Sequence, residues 1–117
     1  MSFSDVLGRL LTVPGVRGAA FLDPQGETVA EVGERDSIEL FGAYQSVWLS
    51  EMGHLAERAG LGKVTDFTLD FDTRRVMATQ VKDGYFVLVV FDADGMASLA
   101  REKVRRAVPE LAAELSY

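Results

Sequence analysis

Seven consecutive residues, Tyr85 to Phe91 (YFVLVVF), contain no charged or amide side chain. A strand that apolar has no face to offer water, so it belongs in the middle of a sheet with structure packed on both sides. Val16 to Leu22 (VRGAAFL) points to the same place by another route, because its small residues let a helix approach the backbone closely. The rest of the chain has to provide the edges of that sheet and its covering layers.

Three stretches have helical spacing. Phe3, Val6, Leu7, Leu10 and Leu11 make one apolar face of a short helix that Ser2 or Ser4 can cap and Pro14-Gly15 ends. Asp36 to about Ala59 is the longest periodic segment, opened by Asp36 and Glu39 in the manner of a capping box and closed by Gly60. Within it Ile38, Phe41, Tyr44, Trp48, Met52, Leu55 and Ala59 recur every three or four residues and are expected to bury against the sheet. A second stripe, Gly42, Ser46, Ser50 and Gly53, consists of small residues and is expected opposite or beside the first, where it makes a groove on the helix surface. The last helix begins near Gly95 or Met96, with Asp92 or Asp94 as its cap, and Pro109 is expected to kink or restart it.

The strands follow from alternation and turn chemistry. Asp23-Pro24-Gln25-Gly26 places Asp, Pro and Gly where a type I turn uses them, joining Val16–Leu22 to an edge-like strand over Glu27–Val32. Lys63 to Phe71 alternates strictly, with Thr65, Phe67, Leu69 and Phe71 on one face and Val64, Asp66, Thr68 and Asp70 on the other. Asp72-Thr73-Arg74 turns it into Arg75–Val81, and Asp83-Gly84 then makes a two-residue hairpin loop into Tyr85–Phe91. The order α-β-β-α-β-β-β-α is an α+β layer fold with a five-stranded antiparallel sheet, strands 16–22 and 85–91 side by side in its middle. No repeat, low-complexity tract or linker divides the chain, so one domain over 1–117 is expected.

Composition removes several functions. At 117 residues, surface scaling gives about 6,300 Å² exposed against roughly 18,500 Å² unfolded, enough burial for a real core. A net charge of -6 argues against a nucleic acid or an anionic lipid surface as principal partner. Zero cysteines exclude disulfide scaffolds, thiol catalysis and cysteine-ligated zinc. No basic-then-apolar leader opens the sequence and no apolar run is long enough to span a bilayer, so a cytoplasmic address without membrane insertion is expected. The lone imidazole, His54, lies mid-helix beside Glu51, Glu57 and Arg58, which fits a surface histidine better than a hydrolytic triad. Gly60-Leu61-Gly62-Lys63-Val64 faintly echoes a phosphate loop but puts Val64 where Ser or Thr would bind magnesium, so it serves as a helix stop. Asp70 with Asp72, and Asp92 with Asp94, are explained by turns and caps and not by a calcium loop. No metal, cofactor or catalytic set is expected.

The run Val13 to Ala30 (VPGVRGAAFLDPQGETVA), after a short helix and before a long one, resembles the roadblock family, named for a dynein light chain. So does Lys82 to Val90 (KDGYFVLVV) followed by a last helix, and the resemblance covers nearly the whole chain. It implies a profilin-like α/β sandwich, a homodimer formed by the long middle helix and the edge strand after it, and no catalytic residues. It also implies a small Ras-like GTPase as partner, since bacterial members often sit beside one and regulate it, while other members scaffold such GTPases. Gly42, Ser46, Ser50 and Gly53, with Val64, Asp66, Thr68 and Asp70 on the edge strand, are therefore the expected dimer contact. Gln45, Leu49, Arg101 and Arg105 are the expected partner-binding residues, although the basic run Arg101, Lys103, Arg105 and Arg106 also suits the second half of a helix by complementing its dipole. Arg17 and the Arg74-Arg75 pair invite comparison with an arginine finger, but a regulator of this shape acts more plausibly by biasing the switch loops of its partner. The alternative functions are a small-molecule sensor whose cavity Phe67, Leu69, Phe71, Phe86, Leu88 and Val90 could line, or a purely structural dimeric scaffold.

Overall fold

The chain folds in the order α1 (Phe3–Leu10), β1 (Val16–Leu22), β2 (Thr28–Gly33), α2 (Arg35–Arg58), β3 (Asp66–Asp70), β4 (Arg74–Lys82), β5 (Tyr85–Asp92) and α3 (Ala97–Glu114). The computed structural model describes residues 2–115, and within α2 all side chains except those of Asp36, Ser37, Glu39, Leu40, Phe41, Ala43, Gln45 and Ser46. One antiparallel sheet holds all five strands in the order β2-β1-β5-β4-β3. The apolar strands β1 and β5 are neighbours at its centre, with Ala19 opposite Val89 and Phe21 opposite Val87.

Alternation along the strands makes two cores. Ala19, Phe21, Met77, Val87, Val89 and Phe91 face α1 and α3 and meet Leu7, Leu10, Val104 and Leu111. Phe21 lies between the rings of Phe3 and Tyr85, with centroids 4.9 and 5.6 Å away. Ala20, Leu22, Val76, Ala78, Phe86, Leu88 and Val90 face α2, which contributes Ile38 and Leu49. The burial of Phe86 to Phe91 in β5 is thus explained by helices on both sides, each large side chain contributing about 1.5–3 kcal/mol.

Local signals set the element ends. Ser2 caps α1 through a complete capping box: the Asp5 amide donates to the Ser2 hydroxyl (3.1 Å) and the Ser2 amide to the Asp5 carboxylate (3.2 Å). The Gly26 amide donates to the Asp23 carbonyl, and Asp23 Oδ1 accepts from the Gln25 and Glu27 amides, fixing the first hairpin. Asp83 and Gly84 both take positive φ, 51° and 85°, as their two-residue loop requires. α2 ends in a Schellman motif, with Leu61 donating to the Ala56 carbonyl and Gly60, at φ 73°, to that of Glu57.

Several boundaries differ from the sequence expectation. α2 begins at Arg35 with Glu34 as N-cap and no side-chain cap bond, so Asp36 does not open it. α3 is capped at Met96, again without a side-chain bond, because Asp92 is held by arginines instead. Helix geometry continues through Pro109 from Ala97 to Glu114 without an assigned break, so no restart occurs there. β3 is shorter than 63–71, and Val64, ahead of it, packs with the α2-side core, while Asp66, Thr68 and Asp70 lie on the α1/α3 side opposite Thr79, Met77 and Arg75.

The largest correction concerns α2. Ile38 is buried as expected, but Tyr44, Trp48 and Leu55 are not: they are 58, 39 and 62% exposed, and Val47 beside them is 56% exposed. Gly42, expected on an open groove, is instead buried on its own sheet, where an added Cβ would lie 3.1 Å from Leu22 Cδ2 and 3.2 Å from the Gly26 carbonyl. The cause is the close approach that β1 permits. A Cβ on Gly18 would sit 2.9 Å from Ile38 Cδ1 and 3.0 Å from Glu34 backbone, so the missing side chain lets the start of α2 come close and seat Ile38 on β1. The inward line of α2 therefore runs through Ile38, Gly42 and Leu49, while Tyr44, Val47, Trp48 and Leu55 turn outward.

Candidate functional site

The outward face of α2 is an apolar ridge. Tyr44, Val47, Trp48 and Leu55 recur at helical spacing on its exposed side, and no element among the described residues covers them. Scattered exposed apolar residues are ordinary; four aligned on one helix, two of them aromatic, mark a contact surface. The signal was present in the sequence, because α2 carries more apolar positions than one buried face can hold, but periodicity does not say which face is inward.

The C-terminal half of α2 borders the approach to β3. A cleft of about 830 Å³ lies between them, with Ser50, Gly53 and His54 on the helix side, Val64 and Thr65 ahead of β3, and Gln80 on β4. Of the small-residue stripe, Ser50 is exposed and Gly53 has open space where a Cβ would stand, so both face this cleft. Leu49, expected to meet a partner, is buried in the α2-side core and reaches only the wall of the cleft. The Gln45 and Ser46 side chains lie outside the described ones.

β3 is an edge strand, paired only with β4 in a ladder free of bulges. Its carboxylates are occupied within the chain. Asp70 forms an ion pair with Arg75, its directly opposite residue, and Asp66 lies 4.0 Å from Arg101 of α3. Arg101 thus lies beside the edge strand; Arg105 is exposed, and Arg106 pairs with Glu102 one turn away.

Where β4 begins, next to Arg75, Arg17 and Arg74 converge on one oxygen of Asp92, at 3.0 and 3.2 Å, and Arg74 also approaches Glu34 at 3.6 Å. The hydrogen bond to Asp92 and its charge, aided by Glu34 and Asp94, hold the Arg17 guanidinium above its ordinary pKa. All three arginines compared with an arginine finger are thus engaged by carboxylates of their own chain.

The strand residues named for the alternative, a sensor cavity, are mostly packed among the described residues. Leu88 and Val90 are fully packed, Phe67 lies against the same core, and Phe86 touches only a hollow of about 200 Å³ beside Pro24 and Leu49. Among the described residues no group of three or more His, Cys, Asp or Glu could hold a metal ion, and no helix is long and apolar enough to cross a membrane.

A family model described as Roadblock/LC7 domain matches residues 3–92, from α1 through β5. The crystal structure of a Roadblock/LC7 domain from Streptomyces avermitilis superposes with a TM-score of 0.90 at 18% identity, covering 100% of both chains. Myxococcus xanthus MglB gives 0.87 at 18% identity over 96% of this chain and 86% of its own. Profilin II from Acanthamoeba castellanii gives 0.67 at 14% identity over 97% and 98% of the two chains, so the sandwich is profilin-like in shape. No curated protein sequence matches.

Proposed function

Because the chain belongs to the Roadblock/LC7 domain family, we propose that it is a non-enzymatic homodimeric adaptor or regulator that binds a small Ras-like GTPase and modulates or scaffolds its nucleotide cycle. The observation that carries this reading is the uncovered ridge of Tyr44, Val47, Trp48 and Leu55 on α2, with the edge strand β3 following it in the chain. An apolar helix face and an open strand edge are the two features a closed twofold dimer removes together. Two α2 helices packed side by side then form one platform for the GTPase, and Arg105 of α3 is a further exposed contact.

Regulation through the partner's switch loops fits this chain better than donation of a catalytic group. Arg17, Arg74 and Arg75 are all tied to acidic neighbours, whereas biasing a switch needs only unequal contacts with its two states. The test is direct: binding of a GTPase encoded beside this protein, in its GDP and GTP forms, with GTP turnover and nucleotide exchange measured with and without the protein. Binding that differs between the two forms supports the proposal, and absence of binding to either form overturns it.

A further inference from the structure

Acidic side chains on an edge strand ordinarily keep it from pairing with another chain. Asp66 and Asp70 are placed to do this, one at each end of β3 on the same face. Each has an arginine beside it: Arg75 pairs with Asp70 and is also held 5.9 Å from the centroid of the Phe91 ring, while the Arg101 guanidinium of α3 lies 4.0 Å from the Asp66 carboxylate. Between the two carboxylates, the Thr68 hydroxyl is buried with no hydrogen-bond partner among the described residues.

Resting on the homodimer reading above, in which β3 pairs antiparallel with its counterpart in a second copy, we propose that Arg75 and Arg101 are the residues that make β3 compatible with itself, with the twofold axis through Thr68. In that register Asp66 of each copy stands opposite Asp70 of the other, on the same face of the joined sheet. Four carboxylates then line one seam. Like charges directly opposite each other destabilise a strand pair, so the seam closes only if each carboxylate keeps its arginine. Threonines directly opposite each other are also a favourable cross-strand pair, and a small χ1 rotation gives each orphan hydroxyl a partner in its copy. The acidic edge thus becomes selective. It accepts a chain that brings its own compensating arginines and repels one with bare carboxylates.

The experiment compares self-association by sedimentation equilibrium in the wild type, Arg75→Gln, Arg101→Gln, Arg75→Lys and the double variant Arg75→Gln/Asp70→Asn, with thermal unfolding as a check on folding. Each glutamine variant should weaken the dimer about tenfold, since each mismatch occurs twice at a twofold seam. Arg75→Lys, which keeps the charge, and the double variant, which removes the carboxylate, should restore it. The chain has no cysteine, so Thr68→Cys introduces a single thiol. Mild oxidation should cross-link Thr68→Cys into a covalent dimer far more readily than Asp66→Cys or Asp70→Cys. Folded glutamine variants that associate as tightly as a dimeric wild type overturn the role of the arginines while leaving the dimer standing. Preferential cross-linking at position 66 or 70 overturns the register, and a monomeric wild type overturns the homodimer reading itself.

Discussion

Gly42 and Gly53 belong to one small-residue stripe of α2 and meet opposite surroundings. Gly42 is pressed on Leu22 and the Gly26 carbonyl, whereas a Cβ at Gly53 meets nothing within 4 Å. Gly53→Ala should therefore raise the stability measured by urea unfolding by about 0.5–1 kcal/mol, the ordinary gain from replacing glycine inside a helix. Gly42→Leu should lower it by about 1–3 kcal/mol through overpacking, and not merely separate subunits. Asp5 offers a pH-dependent case. The Ser2 amide, then the Ser2 hydroxyl, hold its carboxyl below the ordinary 3.8. A carboxylate whose pKa falls on folding stabilises above its unfolded value and loses that contribution as pH drops through the lowered folded value. The difference in melting temperature between wild type and Asp5→Asn should be constant at neutral pH and shrink below about pH 4.

At the scale of elements, the clearest sequence signals were those with one physical cause. The apolar run of β5 could only be a doubly covered strand, and Asp83-Gly84 could only be a tight hairpin loop, so the central pair β1 and β5 and the meander β3 to β5 are legible from residues alone. The caps were less so, because a carboxylate near a helix start has competing partners: Asp92 goes to Arg17 and Arg74 across the sheet, a pairing with no local sequence mark. α2 was ambiguous for a different reason. It has two helical stripes, and the buried line through Ile38, Gly42 and Leu49 follows neither of them, because its position depends on the close approach to β1, a tertiary fact that residue spacing does not contain. Of the small-residue stripe, Gly42 faces the sheet whereas Ser50 and Gly53 face outward, and the aromatic positions beside it are exposed. Ile38, fully buried at the start of α2, should be its main anchor, and Ile38→Ala should cost about 2–5 kcal/mol in chemical unfolding. Trp48→Glu, on the outward ridge, should leave the monomer's unfolding almost unchanged.

At the scale of the whole molecule, the sheet has two unlike sides. Two helices cover one, and α2 alone covers the other while turning its own apolar ridge to solvent. That asymmetry ties the fold to the proposed function: the side with one helix is the side that has room for a second copy, and the open β3 edge lies on the same molecule to receive it. A homodimer is tested most directly by the molar mass of the wild-type protein, measured by light scattering across micromolar concentrations. It predicts about twice 12.8 kDa for the wild type, with Trp48→Glu shifting toward a single chain. A wild-type mass of 12.8 kDa at every concentration would contradict it.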